Sequence, residues 1–482
     1  MRLKISPELS DILSRVRACL EPGNDLFLVG GSVRDLLLDC PPHDLDFVMS
    51  GDPTKLARCA AHHFDAGFFV LDDERHTARV MYRTPGGDLF PLDFVQFTGH
   101  SLEDDLRHRD FTINAMAISV NDLSTLIDPL NGQRDLETAT LRACTSASLL
   151  DDPMRTLRAI RMAVQLGFQM DVDLGDLIRQ AVPSLPGTSV ERQRDELFRI
   201  LEGPDPAQGM TYLYEYNLTR ILFPSLARVE SRTTSQQRFI MSLLGKIAKL
   251  KNYDRLLRIM QGLESLEERP GLRMQEAVLE LLPFKDEITA YFSEEITPGR
   301  KKRSLALLGS ILDGIDPESA WDAARHLALS NAESSWLRRM VGCGGKLKEM
   351  INQCEAPDRR LIYWYYKEAE SAGVAAVLLI LTESAGINGE DRIEASWHRV
   401  LAVSSAMLSA WFQEKDTVIS PVLLLNGDDL QQGFGLKPGR RIGKLLAVLK
   451  EAQASGEVST KEGASAFIRD RISNHPEDED LS

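Results

Sequence analysis

Residues 26–51 read LFLVGGSVRDLLLDCPPHDLDFVMSG, and the fold turns on how this stretch divides. A short apolar run breaks at Gly30-Gly31, where the backbone can take angles that other residues resist. SVRDLLL then has helical spacing, with Ser32 as its expected N-cap, and DLDFVMS returns as a strand. Side chains alternate along that strand, so Asp44 and Asp46 share one face while Leu45 and Phe47 share the other. Two neighbouring carboxylates resist joint ionisation, and a divalent cation between them removes the cost. An isolated D-x-D also suits a solvent-facing strand edge, so its meaning depends on what surrounds it.

Upstream, Ser6-Pro7 with Glu8 opens an amphipathic helix that runs to about Leu20. Downstream, GFFVLD, TARVMYR, LFPLDFVQF and AMAISV are further strand candidates. Strands mixed with helices through residue 140 predict a unit of the α/β or α+β class. From about Leu141 the strand signals nearly vanish and helical periodicity takes over. It is broken near Pro183 and Pro186, Gly203 to Pro206, Pro298-Gly299, Pro357 and Pro421. A mixed head followed by a long helical body is the expected organisation.

The 482 residues correspond to about three or four compact units. Hydrophobic residues at 43% and charged residues at 26% argue against a globally disordered chain. The N-terminus turns polar too early for a signal peptide, and no apolar run approaches bilayer length. Six scattered cysteines without a C-x-x-C pair argue against a disulfide framework or a zinc knuckle and for a reducing compartment, the cytoplasm. A net charge of −15 speaks against a nucleic-acid partner, but charge is unevenly spread. Lys437, Arg440, Arg441, Lys444 and Lys450 make residues 419–450 locally basic, whereas the end, NHPEDEDLS, reads as a solvated acidic tail.

The head carries further candidate chemistry. Gly30 and Gly31 before a helix, with Arg34 one turn in, suit a phosphate, although an ordinary strand–helix turn has the same pattern. Asp93 stands among apolar residues, where an unpaired charge is expensive, and is expected beside Asp44 and Asp46 on a neighbouring strand. Three carboxylates around magnesium ions are what nucleotidyl transfer needs. Arg109 beside Asp110 is a phosphate clamp with an orienting acid, or a local ion pair. In LLDDPMRTLRAIRMAVQLGF, Asp152, Arg155, Arg158 and Arg161 recur every third residue and predict one slanted stripe on a helix. Residues 141–201 hold arginine and no lysine, a choice that favours planar, bidentate contacts. Asp152 and Arg155 offer an acceptor beside a donor, complementary to the edges of cytosine and adenine and not to uracil or guanine.

With these residues assembled, the chain resembles the class II tRNA nucleotidyltransferase and bacterial poly(A) polymerase family of the polymerase-β-like superfamily. The resemblance rests on GGSVRDLLL…DLDFV, RDFTINAMA, DPLNGQRDLETATLR, DDPMRTLRAIRMAVQLGF and ERQRDELFRIL. It returns at LLLNGDDLQQGFGLKPGRRIGKLLAVLKEAQASGEVSTKEGA. It implies an α+β protein: a nucleotidyltransferase head (1–140), a helical neck that recognises the base (141–203), a helical body (204–410) and a tRNA-binding tail (411–482). Asp44 and Asp46 would be metal ligands for Mg2+, with Asp93 as the third catalytic carboxylate. Gly30, Gly31, Arg34 and Arg109 would hold the triphosphate. Asp152 and Arg155 would read the base, with Arg158 and Arg161 near the nucleotide. Lys437, Arg440, Arg441 and Lys444 would contact RNA.

The implied substrates are tRNA with CTP and ATP, and no membrane is involved. Asp151 and His108 depart from the family's usual Glu and Arg at those places. No HD phosphohydrolase motif follows the head. Same-family and different-class alternatives are a poly(A) polymerase and a catalytically silent tRNA-binding protein. Only TGHSLEDDLRH (98–108) separates the Asp93 strand from RDFTINAMA. The resemblance links a connection this short to members that add only the two cytidines, with a separate A-adding enzyme completing the same tRNA.

Overall fold

Ser6 accepts the N–H of Leu9 and Pro7 occupies the first turn, so the chain enters helix α1 (Pro7–Ala18) where the sequence predicts. The computed structural model describes residues 5–72, 76–226, 236–265, 271–386 and 394–474. The acidic end expected after Asn474 lies outside the described residues. Two compact units are present, residues 1–204 with 212–218, and residues 205–211 with 219–482.

The first unit is built on a seven-stranded mixed sheet of order β3-β4-β5-β2-β1-β6-β7. Its strands are β1 (Leu26–Val29), β2 (Leu45–Met49), β3 (Gly67–Asp72), β4 (Thr77–Arg83), β5 (Leu89–Gln96), β6 (Ala117–Ser119) and β7 (Asp122–Ile127). Only β2 and β5 pair in parallel; β1 pairs antiparallel with β2 and β6, and β4 with β3 and β5. β7 is the strand that the sequence reading omits. Its DLSTLI neither alternates nor holds a buried residue, so it lacks the apolar face by which strands are recognised. Between strands run α2 (Gly31–Leu37), α3 (Pro53–Phe64) and α4 (Leu102–Arg107). Leu45, Phe47 and Phe94 are fully buried on one face of the sheet, where the Phe47 and Phe94 rings stack 5.0 Å apart. Burying one such ring contributes about 2 kcal/mol.

After β7 come α5 (Gly132–Glu137), α6 (Ser148–Asp151), α7 (Arg155–Leu166), α8 (Val172–Ala181) and α9 (Val190–Leu201). The second unit is helical apart from one short β-ribbon among the described residues. Its helix Ala372–Ala385 is apolar on every side and buried from Ala372 to Leu381. Near its end, Leu430, Leu449, Ala464 and Ile468 form a small core shared by helices Gly427–Phe434, Arg440–Ala454 and Lys461–Asn474. No helix among the described residues is long and apolar enough to cross a membrane.

The expectation of no disulfide is corrected: Cys19, the C-cap of α1, is bonded to Cys59 on α3, with Cα atoms 5.8 Å apart. The two positions are 40 residues apart and meet only because α1 packs against α3, which spacing alone does not reveal. Denatured without reductant, the chain should titrate with four thiols, and with all six after reduction. Six thiols before reduction would show that the bond is absent.

Candidate active site

Register places the chemistry. Val29 on β1 pairs with Asp46 on β2, Asp46 with Asp93 on β5, and Asp93 with Arg79 on β4. Directly paired residues present their side chains on the same face, so Asp46, Asp93 and Arg79 form one row across three strands. Asp44 precedes β2 and belongs to the same face by alternation.

The glycine turn makes room for that row. Gly30 has φ +71°, and a Cβ there would lie 2.9 Å from Nη1 of Arg109 and 3.2 Å from Oδ2 of Asp46. Both its backbone angle and its surroundings therefore demand glycine. Ser32 is not the N-cap of α2; Gly30 is, and without a side-chain bond. Ser32 lies inside the helix, fully buried, accepting the Asp46 N–H at 2.9 Å and donating to the Asp44 carbonyl at 3.2 Å. Its hydroxyl thus pins the entry of β2 to the glycine turn, and so fixes where both aspartates stand.

Among the described residues no hydrogen-bond donor is directed at the side-chain oxygens of Asp44 or Asp46. Burial and then the charge of Asp44 push the Asp46 carboxyl up to about 6, partly offset by Arg109. Asp44 is raised by burial and then by Asp93 and Asp35. Asp93 differs: Nε and Nη2 of Arg79 donate to its two oxygens, each at 2.6 Å.

Arg109 follows α4 and donates to Asp105 at 3.0 and 3.2 Å. The connection expected to be a short loop is largely this helix. Ser101 caps it, Asp105 accepts the Thr98 N–H, and Leu106 is fully buried against Val29 and Val48. Arg34 is held by Asn114 at 2.7 Å and by Asp35. Asn114 in turn donates to Asp110, which pairs with Arg158 at 2.9 Å. Burial alone would raise the Asp110 carboxyl, but Arg158, Asn114 and the Phe111 N–H hold it below the usual carboxylate range.

The expected stripe on α7 is corrected at its start. Asp152 is extended, at φ −137° and ψ 97°, and the helix begins at Arg155. Asp152 accepts the Met154 N–H and pairs with Arg192 at 3.2 Å. Arg155 donates to the carbonyls of His108, Arg109 and Ser148. Arg161 turns towards α9 and pairs with Glu196 at 2.7 Å. A cleft of about 480 Å³ is lined by Asp46, Arg109, Asp151 and Arg155, among others. Arg79, Asp105, Asn114 and Arg192 are the residues the sequence reading passed over. Asn114 stands within RDFTINAMA and Asp105 one helical turn before Arg109, so a signal was present for both.

Comparison with known proteins fits this geometry. Residues 26–142 match the poly A polymerase head domain, and 167–229 the family described as a probable RNA and SrmB-binding site of polymerase A. A CC-adding tRNA nucleotidyltransferase of Geobacter sulfurreducens is 30% identical over 455 residues, 94% of each chain. The chain belongs to the tRNA nucleotidyltransferase family. Within it, a CC-adding enzyme of Synechocystis and an A-adding enzyme of Deinococcus radiodurans are each 28% identical, over 92% of this chain. The fold is that of a CCA-adding enzyme solved with ATP, at TM-score 0.68, 23% identity and coverage of 98% of this chain and 96% of that one. A Thermotoga maritima CCA-adding enzyme complexed with tRNA has TM-score 0.63, 24% identity and 97% coverage of each chain.

A carboxyl raised in the fold binds a proton that the unfolded chain has already released. Metal-free stability should therefore fall as pH rises from about 4 to about 6 and stay lower above that window. Asp46→Asn removes the ionisation and should raise metal-free stability at pH 7.5 by about 1–3 kcal/mol. Thermal melts in EDTA at pH 5 and 7.5 measure this; equal or lower stability of the variant at pH 7.5 contradicts the strain assigned to Asp46.

Proposed function

We propose that this chain is a template-independent nucleotidyltransferase that adds the two cytidines, and not the terminal adenosine, to the 3′ end of tRNA. What carries the reading is the row of carboxylates, of which Asp46 lines a cleft that also presents Arg109 and Arg155. It stands in a chain that matches a CC-adding relative over nearly its whole length.

Asp44 and Asp46 fit a hard divalent cation: two oxygen-bearing groups on one face, both raised in pKa and given no protein donor among the described residues. Bound there, Mg2+ would neutralise triphosphate charge and acidify the attacking 3′-hydroxyl. Arg109, already oriented by Asp105, is placed to hold the triphosphate at the glycine turn, beside Gly30 and Gly31. Arg34, whose guanidinium lies against Gly31 and is held by Asn114, would add to the triphosphate grip at that turn, and Arg158 would act through Asp110. Asp152 and Arg155 would read the donor and acceptor edge of cytosine, for which Arg155 must exchange carbonyl partners for the base. Arg161, taken by Glu196, supports the helix that begins at Arg155. With tRNA and nucleoside triphosphates as substrates, the protein would act in the cytoplasm, where the two meet.

Restriction to cytidine is supported by α4. Reading cytosine and then the larger adenine requires the pocket to shift, and a flexible connection can drive that shift. Here the connection is a capped helix anchored by Leu106, so the geometry next to Arg109 and Arg155 is stiff. Purified protein, tRNA transcripts ending before CCA or after CC, and labelled CTP or ATP test the proposal. CMP should be added to the first transcript, while AMP addition to the second should be slower by about a hundredfold or more. AMP addition at a rate comparable to CMP addition would leave a full CCA-adding enzyme; AMP tails on unrelated RNA would leave a poly(A) polymerase. In the same assay Asp46→Asn should lose on the order of a thousandfold in rate, and turnover within tenfold of wild type would remove the metal role.

The second unit would bind tRNA through Lys437, Arg440, Arg441 and Lys444. Arg440 and Arg441 open the helix Arg440–Ala454, where the helix dipole disfavours cations and Gly439 supplies no side-chain cap. A backbone phosphate offsets both charges at once. Replacing Arg440 and Arg441 by Ala should weaken tRNA binding and flatten its salt dependence by about two units of slope, leaving the KM for CTP unchanged. An unaltered salt slope would take this end of the helix out of the RNA contact.

A further inference from the structure

Arg79 stands in register with Asp93, and its guanidinium grips both carboxylate oxygens in a fork. The grip is built into the strand. Ala78 and Val80 on either side of Arg79 are fully buried on the opposite face, so β4 has no freedom to turn the arginine away. The Asp93 side chain is only 14% exposed, against 38% for Arg79, so the shared charge is partly shielded from water. The row therefore holds three carboxylates of unequal standing. Asp44 and Asp46 have no donor of their own among the described residues, while both oxygens of Asp93 are engaged.

We propose that Arg79 is a positioning residue that ties up Asp93 and confines the divalent cation to Asp44 and Asp46. This rests on reading that pair as the metal-binding carboxylates. Affinity for a hard cation rises with the number of charged ligands, and an ion acting on phosphates must keep coordination positions for substrate oxygens. With Asp93 engaged, the site offers two protein carboxylates and leaves those positions available. Asp93 serves as an anionic post that holds the arginine beside the site, and Arg79 keeps the ion from being captured by a third carboxylate.

Titration of the full chain with Mn2+, without nucleotide and with free Mn2+ followed by electron paramagnetic resonance, tests the proposal. Arg79→Met should bind Mn2+ about tenfold more tightly than wild type, because it releases a third charged ligand. Arg79→Met combined with Asp93→Asn should return to within about twofold of wild type, since no third carboxylate is then available. Arg79→Lys, whose ammonium cannot span both oxygens, should fall between, and it carries the test if the Met variant does not fold. Structural damage moves affinity in the other direction. Wild-type or weaker Mn2+ binding by folded Arg79→Met, or by Arg79→Lys in its place, overturns the proposal, as does a double variant that keeps the whole gain. Asp46→Asn separates this from the underlying reading: wild-type Mn2+ affinity in that variant rejects the Asp44–Asp46 metal site itself. Lost binding there, with no gain in Arg79→Met, rejects only the role of Arg79.

Discussion

Two half-buried carboxylates, with no hydrogen-bond donor aimed at them among the described residues, are the constraint around which the first unit is arranged. Asp44 and Asp46 repel each other and are poorly hydrated, so the fold must hold them against their own preference. Ser32 does this at the backbone, bonding to the Asp44 carbonyl and the Asp46 N–H. Phe47 and Phe94, stacked on the other face of the same two strands, supply the burial that keeps β2 and β5 aligned. Gly30 removes the one Cβ that would collide with Asp46 and Arg109 together. The local cost is thus offset by packing that lies on the other side of a single sheet.

A second network lies alongside. Arg34, Asn114, Asp110 and Arg158 run in sequence from α2 to α7, and Asp110 is almost completely buried. Breaking a buried pair by removing one partner strands the other, which typically costs several kcal/mol. This explains why Asp110 and Asn114 occur in one short segment, RDFTINAMA. Its 3-10 turn (Thr112–Asn114) brings the amide back onto the acid four residues earlier.

The strands β1 to β6, helix α1 and the mostly helical remainder were legible because each has the period or cap its element requires. The pairing of Asp46 with Asp93 was also foreseeable, since an aspartate in an apolar strand needs company. Three features were not. The Cys19–Cys59 bond depends on how α1 packs on α3. The break before α7 arises because Pro153 disfavours helical geometry at Asp152, a local effect that the three-residue spacing hid. Arg79 was invisible because one arginine in TARVMYR looks like any strand-edge charge until the register sets it opposite Asp93. Spacing along a chain identifies elements well, but it says little about which strand lies beside which.

The position of Arg155 has a thermodynamic consequence. Its guanidinium binds the carbonyls of His108 and Arg109, the same two residues that bring the Arg109 side chain to the glycine turn. Whatever draws Arg155 towards a base must therefore loosen the backbone that positions Arg109, and whatever fixes Arg109 must favour the docked Arg155. Such a linkage is reciprocal: the free energy by which one event biases the other is the same read in either direction. On the proposed roles of these two arginines, discrimination among bases and grip on the triphosphate would draw on one equilibrium from opposite sides. A base that leaves Arg155 docked would leave Arg109 firmly placed, so each gain in base reading would be offset by a looser hold on the triphosphate.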